Sequence, residues 1–119
     1  MKYILLIYGN EKAWQDISES DRNKMFGEYM SFTEDAKKAG KLVGGDPLQP
    51  AATATTVRVQ KGKPIHKDGP YAETKEQLGG YYILDCKDLD EALTWAAKIP
   101  DAAHGFGAIE VRPLMELPG

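Results

Sequence analysis

The chain has 119 residues, of which 42% are hydrophobic and 28% are charged, and this balance indicates one globular domain rather than two domains or a disordered segment. At this length, folding removes about two-thirds of the unfolded chain's surface from water, so a core needs neither a disulfide nor a structural metal. The formal net charge is -3, and the Lys and Arg residues are scattered. We therefore expect no direct binding to nucleic acid or to an anionic membrane.

The single cysteine, Cys86, excludes an intramolecular disulfide and a thiolate-rich zinc site, and it indicates a reducing compartment. The apolar run over residues 3–8 is too short for a signal peptide or a membrane span. We therefore expect a cytoplasmic protein. The chain has no metal-binding motif, nucleophile–base pair or phosphate-binding loop, so we expect no metal and no other cofactor.

A strand and a helix are the first predicted elements. Residues 2–8 are apolar on both alternating faces, which is typical of a strand buried on both sides. A helix begins at Ser18 or Ser20, because Ser18 and Asp21 have the spacing of a capping box. Gly40 is expected to end this helix. Its apolar positions follow spacings of four and three and form one stripe: Met25, Tyr29, Phe32, Ala36 and Ala39.

Three short segments follow the first helix. Residues 41–48 are interrupted by glycine and end near Pro47, which predicts an edge strand or an irregular strand. A strand rich in Thr and Val is predicted over residues 53–60. A turn at residues 61–63 then permits a brief return over residues 64–66.

A strand, a helix and a final strand complete the chain. The strands are predicted over residues 80–86 and 108–114. Asp88, with Glu91 three residues later, opens the second helix, and Pro100 helps to close it. The apolar stripe of this helix is Leu89, Ala92, Leu93, Ala96 and Ile99.

Without a small hairpin arm near residues 61–66, this order is the split βαβ pattern of an α+β, ferredoxin-like βαββαβ fold with an antiparallel sheet. Right-handed crossovers place both helices on one face of that sheet. The other face would form a large apolar patch, which soluble monomers rarely expose. We therefore expect a homodimer in which two sheets pack face to face as a dimeric α+β barrel. The candidates for the patch are Ile4, Leu6, Tyr8, Tyr82 and Leu84, or their alternates.

The densest group of functional side chains lies at residues 68–76, with three carboxylates, an ammonium and a phenol on a loop. Binding and catalytic residues concentrate on such loops. A carboxylate that faced a cavity near Arg112 would have a shifted proton affinity suited to acid–base catalysis, and Asp68 and Glu73 are the first catalytic candidates. In the alternative interpretation, Asp68 caps the turn and the other charged side chains are solvated or paired with neighbours.

Arginine and tyrosine side chains near the predicted barrel interior are candidates for ligand binding. Arg58 and Arg112 offer a planar guanidinium to a carboxylate or phosphate, although Glu110 of a neighbouring protomer would satisfy them equally well. His66 and His104 are interpreted as hairpin and loop residues. The full set of ligand-binding candidates is Tyr8, Arg58, Tyr71, Lys75, Glu76, Tyr82 and Arg112.

The run over residues 68–82, DGPYAETKEQLGGYY, resembles the signature of the YCII-related proteins of the DGPF type, with Tyr71 where the family name has Phe. The similarity covers nearly the whole chain. It includes Met1-Lys2-Tyr3, Asp90-Glu91-Ala92, Trp95-Ala96-Ala97, Pro100 and Glu110-Val111-Arg112-Pro113.

This resemblance implies a dimeric α+β barrel of ferredoxin-like protomers and a functional link to extracytoplasmic-function sigma factors. It attaches no general activity to the group. The wider family is associated with a His-Asp pair in its pocket, and this chain has no histidine in its first half to take that role.

Two functions remain open at this point. The first is a small-molecule-binding or accessory, regulatory protein with a pocket formed by the sheet and the 68–76 loop. The second is a small-molecule enzyme that uses acid–base catalysis, of the isomerase, lyase or cofactor-free oxygenase type. Ferredoxin-like scaffolds host many functions, so the fold does not decide between them. The absence of a recognisable catalytic motif favours the first.

Overall fold

A computed structural model describes residues 1–118, in which a four-stranded sheet carries helices on one face and a two-stranded arm lies outside the sheet. The strands are β1 (Lys2–Gly9), β2 (Leu42–Pro47), β3 (Thr55–Gln60), β4 (Lys63–Asp68), β5 (Gln77–Asp85) and β6 (Gly107–Pro113). The helices are α1 (Glu11–Asp16), α2 (Glu19–Lys38), α3 (Leu89–Ala96) and α4 (Pro100–Ala103), and a 3-10 turn covers Ala51–Thr53.

The main sheet has the order β2-β5-β1-β6, and every neighbouring pair of strands is antiparallel. Strands β1 and β2 are therefore parallel to each other with β5 between them, which is the split βαβ arrangement. The fold is ferredoxin-like, as the order of elements predicted.

The arm is larger than the sequence predicted. It contains all of β3 as well as β4, so the strand predicted over residues 53–60 does not join the main sheet. The cause is local: Lys61 and Gly62 both have positive φ, at 51° and 75°. A two-residue turn of this kind matches the twist of a hairpin and pairs β3 directly with β4.

The core lies between the sheet and the helices α2 and α3. Leu5 of β1 and Leu84 of β5 are both fully buried. The Phe32 ring of α2 packs 4.9 Å from the ring of Tyr82 and 5.8 Å from that of Trp95. The remaining buried residues of this cluster are Tyr3, Ile7, Ala36, Cys86, Ala92, Ala96 and Ile99.

The helix starts agree with the capping signals. The Ser18 hydroxyl accepts a hydrogen bond from the Asp21 amide at 3.0 Å, and the Asp88 carboxylate accepts one from the Glu91 amide at 2.9 Å. The role predicted for Pro100 was wrong, because it begins α4 as a first-turn residue. No helix among residues 1–118 is long and apolar enough to span a membrane.

Helix α1 was not predicted. The Asn10 side chain caps it by accepting from the Ala13 amide at 3.0 Å. The helix is six residues long, and none of its residues is buried. The Trp14 ring lies edge-on to Phe26 at 5.6 Å and thereby anchors α1 to α2.

Candidate functional site

The helix-free side of the main sheet, called the open face below, is half-buried and largely apolar. The register places Ile4 opposite Ile83 and Arg112, and Leu6 opposite Tyr81. Directly opposed residues project to the same side of a sheet. Tyr3, Leu5 and Ile7 alternate with these residues and pack under the helices. The open face therefore consists of Ile4, Leu6, Tyr8, Tyr81, Ile83, Ala108, Glu110 and Arg112.

The predicted apolar patch thus divides between the two faces. Ile4, Leu6 and Tyr8 lie on the open face, and so do Tyr81 and Ile83, the alternates of the β5 candidates. The two β5 residues originally named, Tyr82 and Leu84, face the helices and belong to the core.

Polar pairs border the apolar residues of the open face. The Arg112 guanidinium lies 2.5 Å from the Glu110 carboxylate, and both side chains reach solvent, at 70% and 42% exposure. The Tyr81 hydroxyl donates to the Asp46 carboxylate at 3.3 Å. Ion pairs exposed to this extent contribute little to stability. Their significance for the site is that they place a guanidinium and a carboxylate beside an apolar surface.

Backbone interactions hold the turn at the start of the 68–76 loop. Gly69 has a φ of +108°, which residues with a side chain rarely adopt. Its amide donates to the Ala54 carbonyl at 2.8 Å, and its carbonyl accepts from the Thr56 hydroxyl at 2.9 Å. The Asp68 carboxylate makes no side-chain hydrogen bond to any residue within 1–118, so it does not cap the turn as the alternative interpretation proposed.

The other end of the loop is fastened to α1. The Gln77 amide group donates to the Thr74 carbonyl at 2.8 Å, and its oxygen accepts from the Glu11 amide at 3.0 Å. The Glu11 carboxylate in turn accepts from the Ala51 amide at 2.7 Å. This clamp was not predicted, because α1 was not predicted. The Asn10 cap signal was the feature that could have located the helix.

The functional side chains of the loop are exposed in a single copy of the chain. Tyr71 is 80% exposed, and the Arg58 guanidinium lies 5.3 Å from its ring centroid, within cation–π range. Among residues 1–118, none of the three carboxylates in the loop forms an ion pair. The exposed candidates are Asp68, Glu73, Lys75 and Glu76.

A single copy does not gather the predicted site residues into one place. Tyr8 lies at the end of β1 near the loop, whereas Arg112 is opposite Ile4, four residues away along the strand. At about 3.3 Å per residue, this separates their backbones by roughly 13 Å. Tyr82 lies on the other face, with its hydroxyl 2.9 Å from the Thr33 hydroxyl. Within residues 1–118, Arg58 and Tyr71 are in contact through a cation–π interaction.

A polar cluster beneath the helices was not predicted. The Tyr29 hydroxyl donates to the Asp101 carboxylate, and burial together with this contact raises the pKa of Tyr29 well above its usual range. Burial also raises the pKa of Tyr82. Tyr29 was assigned to an apolar stripe, but a buried tyrosine needs a partner for its hydroxyl. The need for a hydrogen-bond partner is the feature of the sequence that could have indicated a polar contact at Tyr29.

His104 lies on a different element from the candidate carboxylates of the loop, whereas His66 is two residues before Asp68 in β4. His104 follows α4 and contacts the Glu28 carboxylate at 2.6 Å, in an open groove of about 710 Å³ between α2 and the helices that follow β5. His66 is an exposed residue of β4, opposite Val57.

Known proteins resemble this chain over almost its full length. The profile of the YCII-related domain matches residues 1–118. An uncharacterised protein of Rhizobium meliloti (strain 1021) is 39% identical over 114 residues, covering 96% of this chain and 92% of that protein.

One solved structure shares the fold at low sequence identity. It is the 5-chloro-2-hydroxyhydroquinone dehydrochlorinase of Burkholderia phenoliruptrix AC1100, in complex with 2,5-dihydroxybenzoquinone. It superposes with a TM-score of 0.60 at 16% identity and covers 97% of this chain and 94% of that one. At this identity, the likeness supports the ferredoxin-like fold alone.

Proposed function

This chain belongs to the YCII-related family, and on that premise we propose that it is a homodimeric protein that binds a small molecule in an accessory or regulatory role. The proposed pocket lies between the open face and the 68–76 loop. The functional link to an extracytoplasmic-function sigma factor, implied by the DGPF-type resemblance, is part of this proposal.

The composition of the open face is the observation that carries the proposal. Ligand pockets are mostly apolar and contain a few placed polar groups. The open face has this character, because Ile4, Leu6 and Ile83 lie beside the Arg112–Glu110 pair. A guanidinium next to an apolar floor suits a compact ligand that carries a carboxylate or another anionic oxygen.

The dimer supplies the enclosure that the proposed pocket needs. A second sheet packed against the open face would stand about 10 Å away and would remove its apolar side chains from water. The exposed Arg112 and Glu110 would then lie in a medium of lower dielectric constant, where their interactions with a ligand strengthen. The same enclosure is required for the carboxylates of the loop, which are exposed in one copy.

A second candidate is the small-molecule enzyme that uses acid–base catalysis. It is supported by a protein of the same fold that is named a dehydrochlorinase and binds 2,5-dihydroxybenzoquinone. In this candidate Asp68 and Glu73 exchange protons with the substrate. Both side chains are exposed in one copy, and within residues 1–118 neither forms an ion pair that would position it for proton transfer. Binding without turnover is therefore the preferred proposal.

A thermal-shift screen tests the pocket directly. The parent chain, Asp68→Asn and Glu73→Gln are screened against a metabolite library that includes 2,5-dihydroxybenzoquinone, with Glu34→Gln on the exposed side of α2 as the matched control. A ligand that binds only the folded state raises the free energy of unfolding by RT ln(1 + [L]/Kd), and the melting temperature rises with it. We expect equal stabilisation of the parent and the control, and less of the two loop variants.

Two outcomes would revise the proposal. Equal stabilisation of all four proteins would remove both carboxylates from the site. Mass spectrometry would detect any conversion of a bound compound. Conversion that is lost in Asp68→Asn or Glu73→Gln but not in Glu34→Gln would establish the enzyme instead of the binding protein.

A further inference from the structure

We infer that the β3–β4 arm of one copy packs against the body of the second copy and brings the 68–76 loop over the partner's open face, so that each pocket is built from both copies. This inference rests on the homodimer of the proposed function. It assigns a role to the arm and explains how site residues that are separated in one copy come together.

The arm lacks support within its own chain. Within residues 1–118, strands β3 and β4 pair only with each other, and eleven of their twelve residues are exposed, the exception being the half-buried Thr56. A compact domain of this length has a radius of gyration of about 13.5 Å, from the usual scaling with chain length. The observed value is 16.2 Å, which indicates that the arm extends away from the body. An isolated two-stranded hairpin is marginally stable in water, so the arm requires a second surface.

One side of the arm is suited to that contact. The register places Val57 opposite His66, and Val59 opposite Pro64, with all four side chains on one side. Val57 and Val59 are 57% and 69% exposed. Exposed valines in adjacent apolar positions of a hairpin are typical of a strand surface that becomes buried on association.

The other side of the arm carries its positive charge. Arg58 is opposite Ile65, and Lys63 and Lys67 project from the same side. The two sides therefore differ in chemistry, and the arm has a defined orientation for docking: Val57 and Val59 inward, cations outward.

The charge distribution favours a second copy as the occupant. The arm, residues 55–68, contains four Lys and Arg residues and one carboxylate, Asp68, whereas the rest of the chain holds the other eleven cations and seventeen carboxylates. A basic arm and an acidic body are complementary between copies. Opposite net charges of this kind attract the two copies at long range, while Val57 and Val59 make the contact once the arm has docked.

The arm is also long enough. Six residues per strand span about 20 Å, and a sheet of four strands is about 14 Å wide between its outer strands. An arm from one copy can therefore cross the partner's sheet. In one copy the loop leads to Gln77, opposite Gly9, at the end of β1 distant from Arg112. The 68–76 loop of the partner could approach Arg112 directly, because it is not attached to the distant end of the same sheet.

Photo-crosslinking between distinguishable copies tests the inference. Val59 is replaced by p-benzoylphenylalanine, and the variant is mixed with an equal amount of isotope-labelled parent chain before irradiation. We expect crosslinked dimers of mixed mass in which Val59 is joined to the body of the other copy. The same substitution at Met30, 73% exposed on α2, is the control and should give few such dimers.

The result that overturns the inference is crosslinking from position 59 only within one copy, or none at all, in a protein that still sediments as a dimer. That result leaves the proposed function intact. A monomer in sedimentation would instead remove the homodimer, and with it both proposals.

A pair of conservative variants provides an independent readout. Replacing Val57 and Val59 together by threonine retains strand propensity but removes apolar contact. We expect the dimer to dissociate at least tenfold more readily, while Gln60→Thr on the cationic side leaves dissociation unchanged. An unchanged dissociation constant for the double variant would contradict the inference.

Discussion

Folding makes the ionisation of Tyr29 less favourable, because its side chain loses contact with water and its hydroxyl bonds to Asp101. Its side chain is half-buried and its hydroxyl donates to Asp101, so the folded chain holds the phenolic proton at pH values where the unfolded chain releases it. The pKa of Tyr29 is raised above the unfolded value of about 10. The stability linked to this group is therefore fully present below about pH 10 and is lost as the pH rises beyond it.

Replacing Tyr29 by phenylalanine tests this contact. At neutral pH we expect a loss of about 1 kcal/mol in the free energy of unfolding, because a hydrogen bond to a carboxylate is removed. We also expect a shallower loss of stability between about pH 9 and 11 than in the parent chain. Urea denaturation across that range gives both quantities.

Tyr71→Phe is the matched control, because Tyr71 is 80% exposed. It should change stability by less than about 0.5 kcal/mol. If Tyr29→Phe shows the same stability and the same alkaline slope as the parent, the Tyr29–Asp101 contact contributes nothing and the assignment is wrong.

Local chemistry explains why some individual residues were placed well by the sequence and others were not. The run Asp68-Gly69-Pro70 is typical of a turn, in which glycine readily takes an unusual backbone angle, and Gly69 has a φ of +108°. Tyr82 was a candidate for the pocket but lies beneath the helices, with its hydroxyl near Thr33. The sequence shows that β5 is apolar on both sides, and alternation alone does not say which side the helices cover. The contributions of Asp68 and Glu73 remain predictions.

Among the secondary-structure elements, α2 depends on its first turn. Ser18 accepts a hydrogen bond from the Asp21 amide and so satisfies one of the four free amides at the helix start. We expect Ser18→Ala to lower the free energy of unfolding by about 1 kcal/mol. Ser20, two residues inside the helix, is the matched control, and Ser20→Ala should be nearly neutral. Denaturant titration of the three proteins distinguishes them, and equal midpoints would contradict the capping role.

Elements defined by strong local signals were predictable. The caps of α2 and α3 and the strands β1, β5 and β6 follow from patterns within the sequence. Helix α1 was missed because it is short and buries none of its residues, which leaves no apolar stripe. The extent of the arm was missed because β3 has the composition of a sheet strand. Pairing partners, which composition does not reveal, decide whether such a strand joins the sheet.

For the molecule as a whole, the open face is the predicted feature that matters most for the proposed function. Two strands that are apolar on both sides predicted a sheet with one face under helices and one uncovered, and the structure has this arrangement. Covering the open face requires a second molecule, and the sequence of one chain does not show how two molecules pack together. The composition of the open face is the physical reason to expect one.

A charge on the open face should prevent that assembly. Ile83 lies in the middle of the face, opposite Ile4. We expect Ile83→Glu to yield a folded monomer, because an unpaired carboxylate in a buried interface is strongly unfavourable. Met30→Glu on the exposed side of α2 should remain a dimer. Circular dichroism confirms folding, and a folded dimer from Ile83→Glu would place the interface elsewhere.

Sedimentation of the parent chain at micromolar concentration is the most direct test of the homodimer and of the enclosed pocket that depends on it. One chain has a mass of 13.1 kDa. A homodimer that covers the open face predicts a single species of twice that mass, which does not dissociate on modest dilution. A species of 13.1 kDa under these conditions would leave the open face in water and contradict the enclosed pocket.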